Sequence, residues 1–166
     1  MKSKTLITLI VFLCFNVNQA FSQVDVKGFR GASWGISLDS VKAIFSNEIT
    51  LLETPQAYFN AYCPLTIENY IIDQQSYTVD FIFSNETNVL TQVNIASKRL
   101  LNWGLTVNSL ESILTEKYGV PTFRGVNPYV VKWTFESSKI TLHYLRNLEV
   151  IKLIYEPNDN ENKSKL

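Results

Sequence analysis

The sequence is short of cysteine, histidine and surplus charge, and each shortage removes a class of protein. Its 166 residues hold two cysteines, too few for a disulfide-dense scaffold or a four-thiolate zinc site. One histidine, His143, cannot build a multi-histidine metal centre. Fifteen Lys and Arg balance fifteen Asp and Glu, so no basic excess exists to neutralise the phosphates of a nucleic acid. No G-x-S-x-G, P-loop or G-x-G-x-x-G motif occurs. What the chain has in quantity is apolar residues (46%) and aromatic residues (13%), more than a disordered chain carries.

Residues 1–22 read as a secretory signal. Lys2 and Lys4 form a positive start, and Leu6 to Phe15 is a nearly unbroken apolar run of ten residues. Ala20-Phe21-Ser22 then places small residues at the −3 and −1 positions of a cleavage site. The run is half of the roughly 20 residues that span a bilayer, so no membrane span is expected after cleavage. Cys14 lies inside the run behind Phe12-Leu13, which is not the setting of a lipid-modified cysteine. The expected product is an exported protein, periplasmic or extracellular, of residues 23–166. Losing Lys2 and Lys4 leaves 13 basic groups against 15 acidic ones, a formal charge of −2. Cys63 is then the last cysteine, and its neighbours Tyr62, Pro64 and Leu65 point to burial. Asn85-Glu86-Thr87 and Asn162-Lys163-Ser164 match a glycosylation sequon that is common by chance.

An internal similarity organises the rest. Trp34-Gly35-Ile36-Ser37-Leu38-Asp39-Ser40-Val41 is matched, 69 residues on, by Trp103-Gly104-Leu105-Thr106-Val107-Asn108-Ser109-Leu110. Ser37 and Thr106 suit helix N-caps, and both segments carry an apolar stripe at helical spacing. Gly119 with Pro121 stops the second helix. Period-two alternation then predicts strands over 65–72, 77–83 and 89–96, and over 129–135, 140–145 and 150–155. The expected fold is α+β, with two helix-plus-three-stranded-meander repeats forming one antiparallel sheet and the helices on one face. A single domain is expected over 23–156, with repeat one at about 28–97 and repeat two at about 98–156. Val24 to Ser33 is expected to add an edge strand, Thr50 to Cys63 to be a longer connection with room for a short helix or strand, and 157–166 to be a disordered tail.

The run Gly104-Leu105-Thr106, Leu110, Ile113-Leu114 and Gly119-Val120-Pro121, followed by Trp133-Thr134-Phe135, resembles the small outer-membrane-assembly lipoprotein domain of the SmpA/OmlA type. It also resembles one half of the β-lactamase-inhibitor-protein fold, which sets two helix-plus-meander units in tandem. The resemblance implies envelope scaffolding or enzyme inhibition. This chain departs from it in lacking a lipobox, the inhibitor's paired cysteines and a Gly-x-Pro stop after the first helix.

No catalytic, cofactor or metal site is legible. His143 and Asp80 fall at equivalent positions of the two alignments, where an acid/base pair is conceivable, but no nucleophile or oxyanion motif accompanies them. Strand alternation turns Tyr77, Val79, Phe81, Val131, Trp133 and Leu142 toward the helices. It leaves Thr78, Asp80, Lys132, Thr134, Thr141, His143 and Lys152 on the opposite, open face. Such a mixture of polar, charged and apolar groups suits a moderately wet protein interface. The expected function is therefore non-enzymatic binding of another envelope or secreted protein through that face. The alternative is a small-molecule or lipid-binding module with a cavity between helices and sheet.

Overall fold

The structure is a computed structural model that describes residues 25–98 and 102–158. The signal read over 1–22 lies outside the described residues.

Two short strands, β1 (Gly28–Phe29) and β2 (Ala32–Ser33), precede helix α1 (Leu38–Ile44). Four strands follow: β3 (Thr50–Tyr58), β4 (Ala61–Ile72), β5 (Gln75–Ser84) and β6 (Leu90–Ser97). Helix α2 (Trp103–Tyr118) leads into β7 (Phe123–Val126), β8 (Tyr129–Thr134), β9 (Ser138–Leu145) and β10 (Val150–Pro157). The last eight strands make one antiparallel sheet in the order β3-β4-β5-β6-β10-β9-β8-β7. Its two sequence-local runs meet where β6 pairs with β10, Ile95 opposite Leu153 and Val93 opposite Tyr155.

The expected α+β fold of two helix-plus-three-stranded-meander repeats is overturned. Strand makes up more than half of the structure, as one eight-stranded sheet beside a two-stranded one. Two local causes account for the difference. Thr50–Tyr58 and Phe123–Val126 carry no clean alternation, yet they form the two edge strands. An edge strand has only one neighbour and needs no continuous apolar face. The two Trp-Gly pairs also do different things. Gly35 adopts φ +81°, outside any helix, and its N–H donates to the Leu90 carbonyl at 2.9 Å. Gly104 instead lies inside the first turn of α2.

Helix ends follow capping chemistry in part. Ser37 caps α1, its hydroxyl accepting the Ser40 N–H at 3.3 Å. Thr106 is not the cap of α2: the helix starts three residues earlier behind Asn102, and Thr106 Oγ1 donates to the Asn102 carbonyl at 3.4 Å. Gly119, at φ +82°, ends α2 with its N–H on the Thr115 carbonyl.

Both helices lie over one face of the sheet. Val41 of α1, Phe45 at its C-cap, and Val107, Leu110 and Leu114 of α2 join a single apolar core with Phe81, Val93, Trp133, Leu142 and Leu153. The residues expected over Val24 to Ser33 do not add a strand to the sheet edge. They form the β1–β2 arm, which lays Phe29 into the core against Phe45, Phe81 and Tyr155, at ring separations of 6.3, 6.2 and 5.3 Å. A polar clamp fastens this arm. The Asp25 carboxylate accepts the Ser137 N–H and hydroxyl at 3.0 and 2.6 Å. Ser138 Oγ accepts the Trp34 indole N–H at 2.6 Å and donates to the Val26 carbonyl. The polar tail expected from residue 157 gives its first two residues to the fold. Pro157 pairs opposite Ser138, and buried Asn158 donates to the Phe135 carbonyl at 2.7 Å.

Candidate functional site

The other face of the sheet carries neither helix and not the β1–β2 arm. Strand register assigns its residues in rows. One row runs Thr66, Asp80, Asn94, Ile154, Thr141, Lys132 across β4, β5, β6, β10, β9 and β8. The next runs Thr78, Ala96, Lys152, His143, Val130 across β5, β6, β10, β9 and β8. Thr134 stands opposite Lys139, which stands opposite Glu156. The seven residues singled out from alternation (Thr78, Asp80, Lys132, Thr134, Thr141, His143 and Lys152) therefore share this face.

The register also separates residues that the sequence had paired. Asp80 on β5 and His143 on β9 have β6 and β10 between them. Three inter-strand spacings make roughly 14 Å, too far for proton transfer between them, which needs contact or one bridging water. Cys63 is fully buried on β4, its thiol donating to the Leu65 carbonyl at 3.3 Å. Burial, with the Asp80 charge adding to it, pushes the thiol pKa up to about 11, the opposite of what an attacking thiolate needs. Among the described residues, no three of His, Cys, Asp and Glu gather as a metal ion would require. No described helix is long and apolar enough to cross a membrane.

The face divides into two electrostatic halves. On the β4–β5 side Asp80 is the central group. Burial raises its carboxyl pKa above the ordinary value, against opposing contributions from Thr66 and Lys152. Thr66 Oγ1 lies 3.0 Å from both Asp80 Oδ1 and the Val79 carbonyl oxygen, so its one proton is shared between them. A depression of about 520 Å³ opens beside Asp80, walled by Gln56, Thr66, Glu68 and Thr78. It exists because β3 bulges away from β4: five residue steps from Leu51 to Gln56 oppose only two from Leu65 to Cys63. On the β8–β10 side, His143 is flanked by Lys132 and Lys152. Burial first, then these two lysines, lowers its pKa, with Glu156 opposing.

Three members of this face were missed from the sequence. Asn94 is 2% exposed and Thr66 4%, polar groups held almost out of water; Gln92 Nε2 donates to Asn94 Oδ1 at 2.6 Å. The alternation of Gln92, Asn94 and Ala96 with Val93 and Ile95 was the available signal for Asn94. Gln56 had none, because the β3 bulge follows no period.

Two further concavities lie elsewhere. One of about 240 Å³ sits between α2, the β1–β2 arm and the core face of the sheet, bounded by Phe29, Tyr70, Leu114 and Tyr155. The other, about 800 Å³, opens at the start of α2 beside the β7–β8 and β9–β10 turns. There the Trp103 and Tyr144 rings stack at 4.0 Å and 9°.

Compared with protein-family models, curated proteins and solved structures, the chain matches none. The likeness to the SmpA/OmlA-type and inhibitor-type domains rests on the residues quoted for it.

Proposed function

We propose that this chain is an exported, non-enzymatic binding domain that recognises another envelope or secreted protein through the helix-free face of its eight-stranded sheet. The observation that supports this reading is the face itself: a continuous sheet whose second side carries polar and charged groups in register and, among the described residues, no helix. Its size is right for the task. Seven spacings of about 4.8 Å give roughly 33 Å across, and eight residues at about 3.3 Å give roughly 26 Å along. The product, roughly 850 Å², matches the ~800 Å² that each partner contributes to a standard interface. Lys132 and Thr134 are exposed on this face and His143, Lys152 and Ile154 half-buried, the mixture of polar, charged and apolar groups that suits a moderately wet interface.

The test is a crosslinking pull-down from envelope and secreted fractions, using the tagged full chain and the double variant Lys132→Ala/His143→Ala. A stoichiometric protein partner that is lost in the variant, with crosslinks mapping to the sheet face, is the expected result. Crosslinks confined to the helical side would overturn the reading.

The second reading, a small-molecule or lipid-binding module, draws on the concavity beside the Trp103–Tyr144 stack. At about 800 Å³ it falls in the ordinary range for ligand sites, about 300–1,000 Å³. The space between helix and sheet, about 240 Å³, falls below it. A small molecule carried through purification and seen in native mass spectra would favour this alternative.

A further inference from the structure

We propose that the β8–β10 half of this face receives acidic side chains of a protein partner at Lys132, His143 and Lys152, and that the contact tightens as pH falls. The proposal rests on the protein-binding reading and adds the partner's chemistry to it.

Lys152 stands directly opposite His143 in the β9–β10 register, and Lys132 is diagonal to His143 across β8. Side chains directly opposite lie about 5 Å apart, and like charges at that spacing repel. Lys132 and Lys152 thus flank the His143 ring from the two neighbouring strands, an arrangement that disfavours a charge on the imidazole unless an anion joins them. Neither lysine is in an ion pair among the described residues; the Lys132 ammonium sits 5.5 Å from the centre of the Phe123 ring. The groups that face His143 are Lys132 from β8, and Lys152 and Glu156 from β10. Glu156 is already engaged by Lys139 at 3.3 Å. Asp80, the acid in the neighbouring row, is two strands beyond β10 and acts on Lys152 across that distance without an ion pair. A carboxylate from outside fills the missing place.

The surroundings select a protein as its source. Polybasic membrane anchors use about 4–8 Lys and Arg, and this cluster has two lysines and a histidine. Ile154 is half-buried in the row beside them and Thr134 is exposed beyond Lys132, uncharged side chains that another protein surface can pack on. The pH dependence follows from charge. Burial and the two lysines disfavour the His143 imidazolium, and a carboxylate brought beside it favours that form. Binding therefore takes up a proton. Affinity rises as pH falls from the bound-state to the free-state titration of His143, by at most about tenfold per pH unit.

The single histidine makes the test direct, because its ring resonances need no assignment. The full chain is titrated with a decaglutamate peptide, with decalysine and phosphatidylglycerol vesicles in parallel, and the His143 pKa is read by NMR at each point. Decaglutamate is expected to raise the His143 pKa by about one unit and to perturb the Lys132 and Lys152 amides. Lys132→Met and Lys152→Met are each expected to weaken binding several-fold, and His143→Gln to bind with a flat pH profile. A response to vesicles but not to peptide, or peptide perturbations clustered elsewhere, overturns the proposal. Partner crosslinks on the sheet face, with peptide affinity unchanged in both lysine variants, remove the acidic chemistry and leave the face reading standing. Crosslinks confined to the helical side remove both.

Discussion

Replacing Ser138 with alanine tests whether the amino-terminal segment is fastened by the β8–β9 hairpin. Ser138 has no exposed surface. Its hydroxyl accepts the Trp34 indole N–H at 2.6 Å and donates to the Val26 carbonyl, across 104 and 112 residues of sequence. Ser138→Ala removes both bonds and leaves a part-buried indole N–H without an acceptor. Two net bonds at about 1 kcal/mol each, plus part of a desolvation penalty, give a loss of about 2–3 kcal/mol. For a domain of this length each kcal/mol moves the midpoint by about 3–5 °C, so Tm should fall by roughly 6–15 °C. Urea denaturation followed by circular dichroism gives the free energy. A double-mutant cycle with Trp34→Phe isolates the pair, with an expected coupling above about 0.5 kcal/mol. A loss below about 0.5 kcal/mol, or additive single mutants, would refute the clamp. The arm would then be held by the docking of Phe29 and the Asp25–Ser137 bonds.

Two other perturbations address the sheet face. Burial raises the folded-state pKa of Asp80, so its ionised form subtracts stability at neutral pH and the deficit is relieved as pH falls through that pKa. Asp80→Asn should therefore raise the urea midpoint at pH 7, with the gain shrinking toward acid; a lower midpoint would mean that the Thr66 hydrogen bond outweighs the burial of charge. Cys63, with its thiol pushed up to about 11, should resist iodoacetamide at pH 8 in the folded protein and react in urea; rapid native alkylation would show that β4 opens at that point.

Much of the secondary structure was legible because it is local. Tyr77-Thr78-Val79-Asp80-Phe81 and Val131-Lys132-Trp133-Thr134 alternate strictly, and β5 and β8 run where the alternation runs. The same alternation sorted Asp80, Lys132 and His143 onto one side of the sheet, since the side-chain period of a strand is two whatever its neighbours. The edges were not legible. β3 holds Pro55 and a multi-residue bulge, and β7 has four residues including Gly125; neither shows a period. The start of α2 was misread for a related reason. Trp103 stacks on Tyr144, forty-one residues away, and the helix begins there rather than at the hydroxyl that local capping favoured.

The sequence by itself determined which face the alternating residues of β5, β8 and β9 take, where α1 starts and α2 ends, and that Cys63 goes inside. All of these depend on backbone stereochemistry and hydrophobicity within a few residues. Only the tertiary structure decided that β6 pairs with β10, which turns two runs of neighbouring strands into one eight-stranded sheet. That pairing joins Ala96 to Lys152 and Asn94 to Ile154, residues more than fifty positions apart. It also places Asp80 three strands from His143, which the local β9–β10 hairpin sets beside Lys152. Strand pairing of this kind is a non-local choice, made by the shared core of Phe29, Phe81, Tyr155 and Trp133, and no spacing along the chain encodes it.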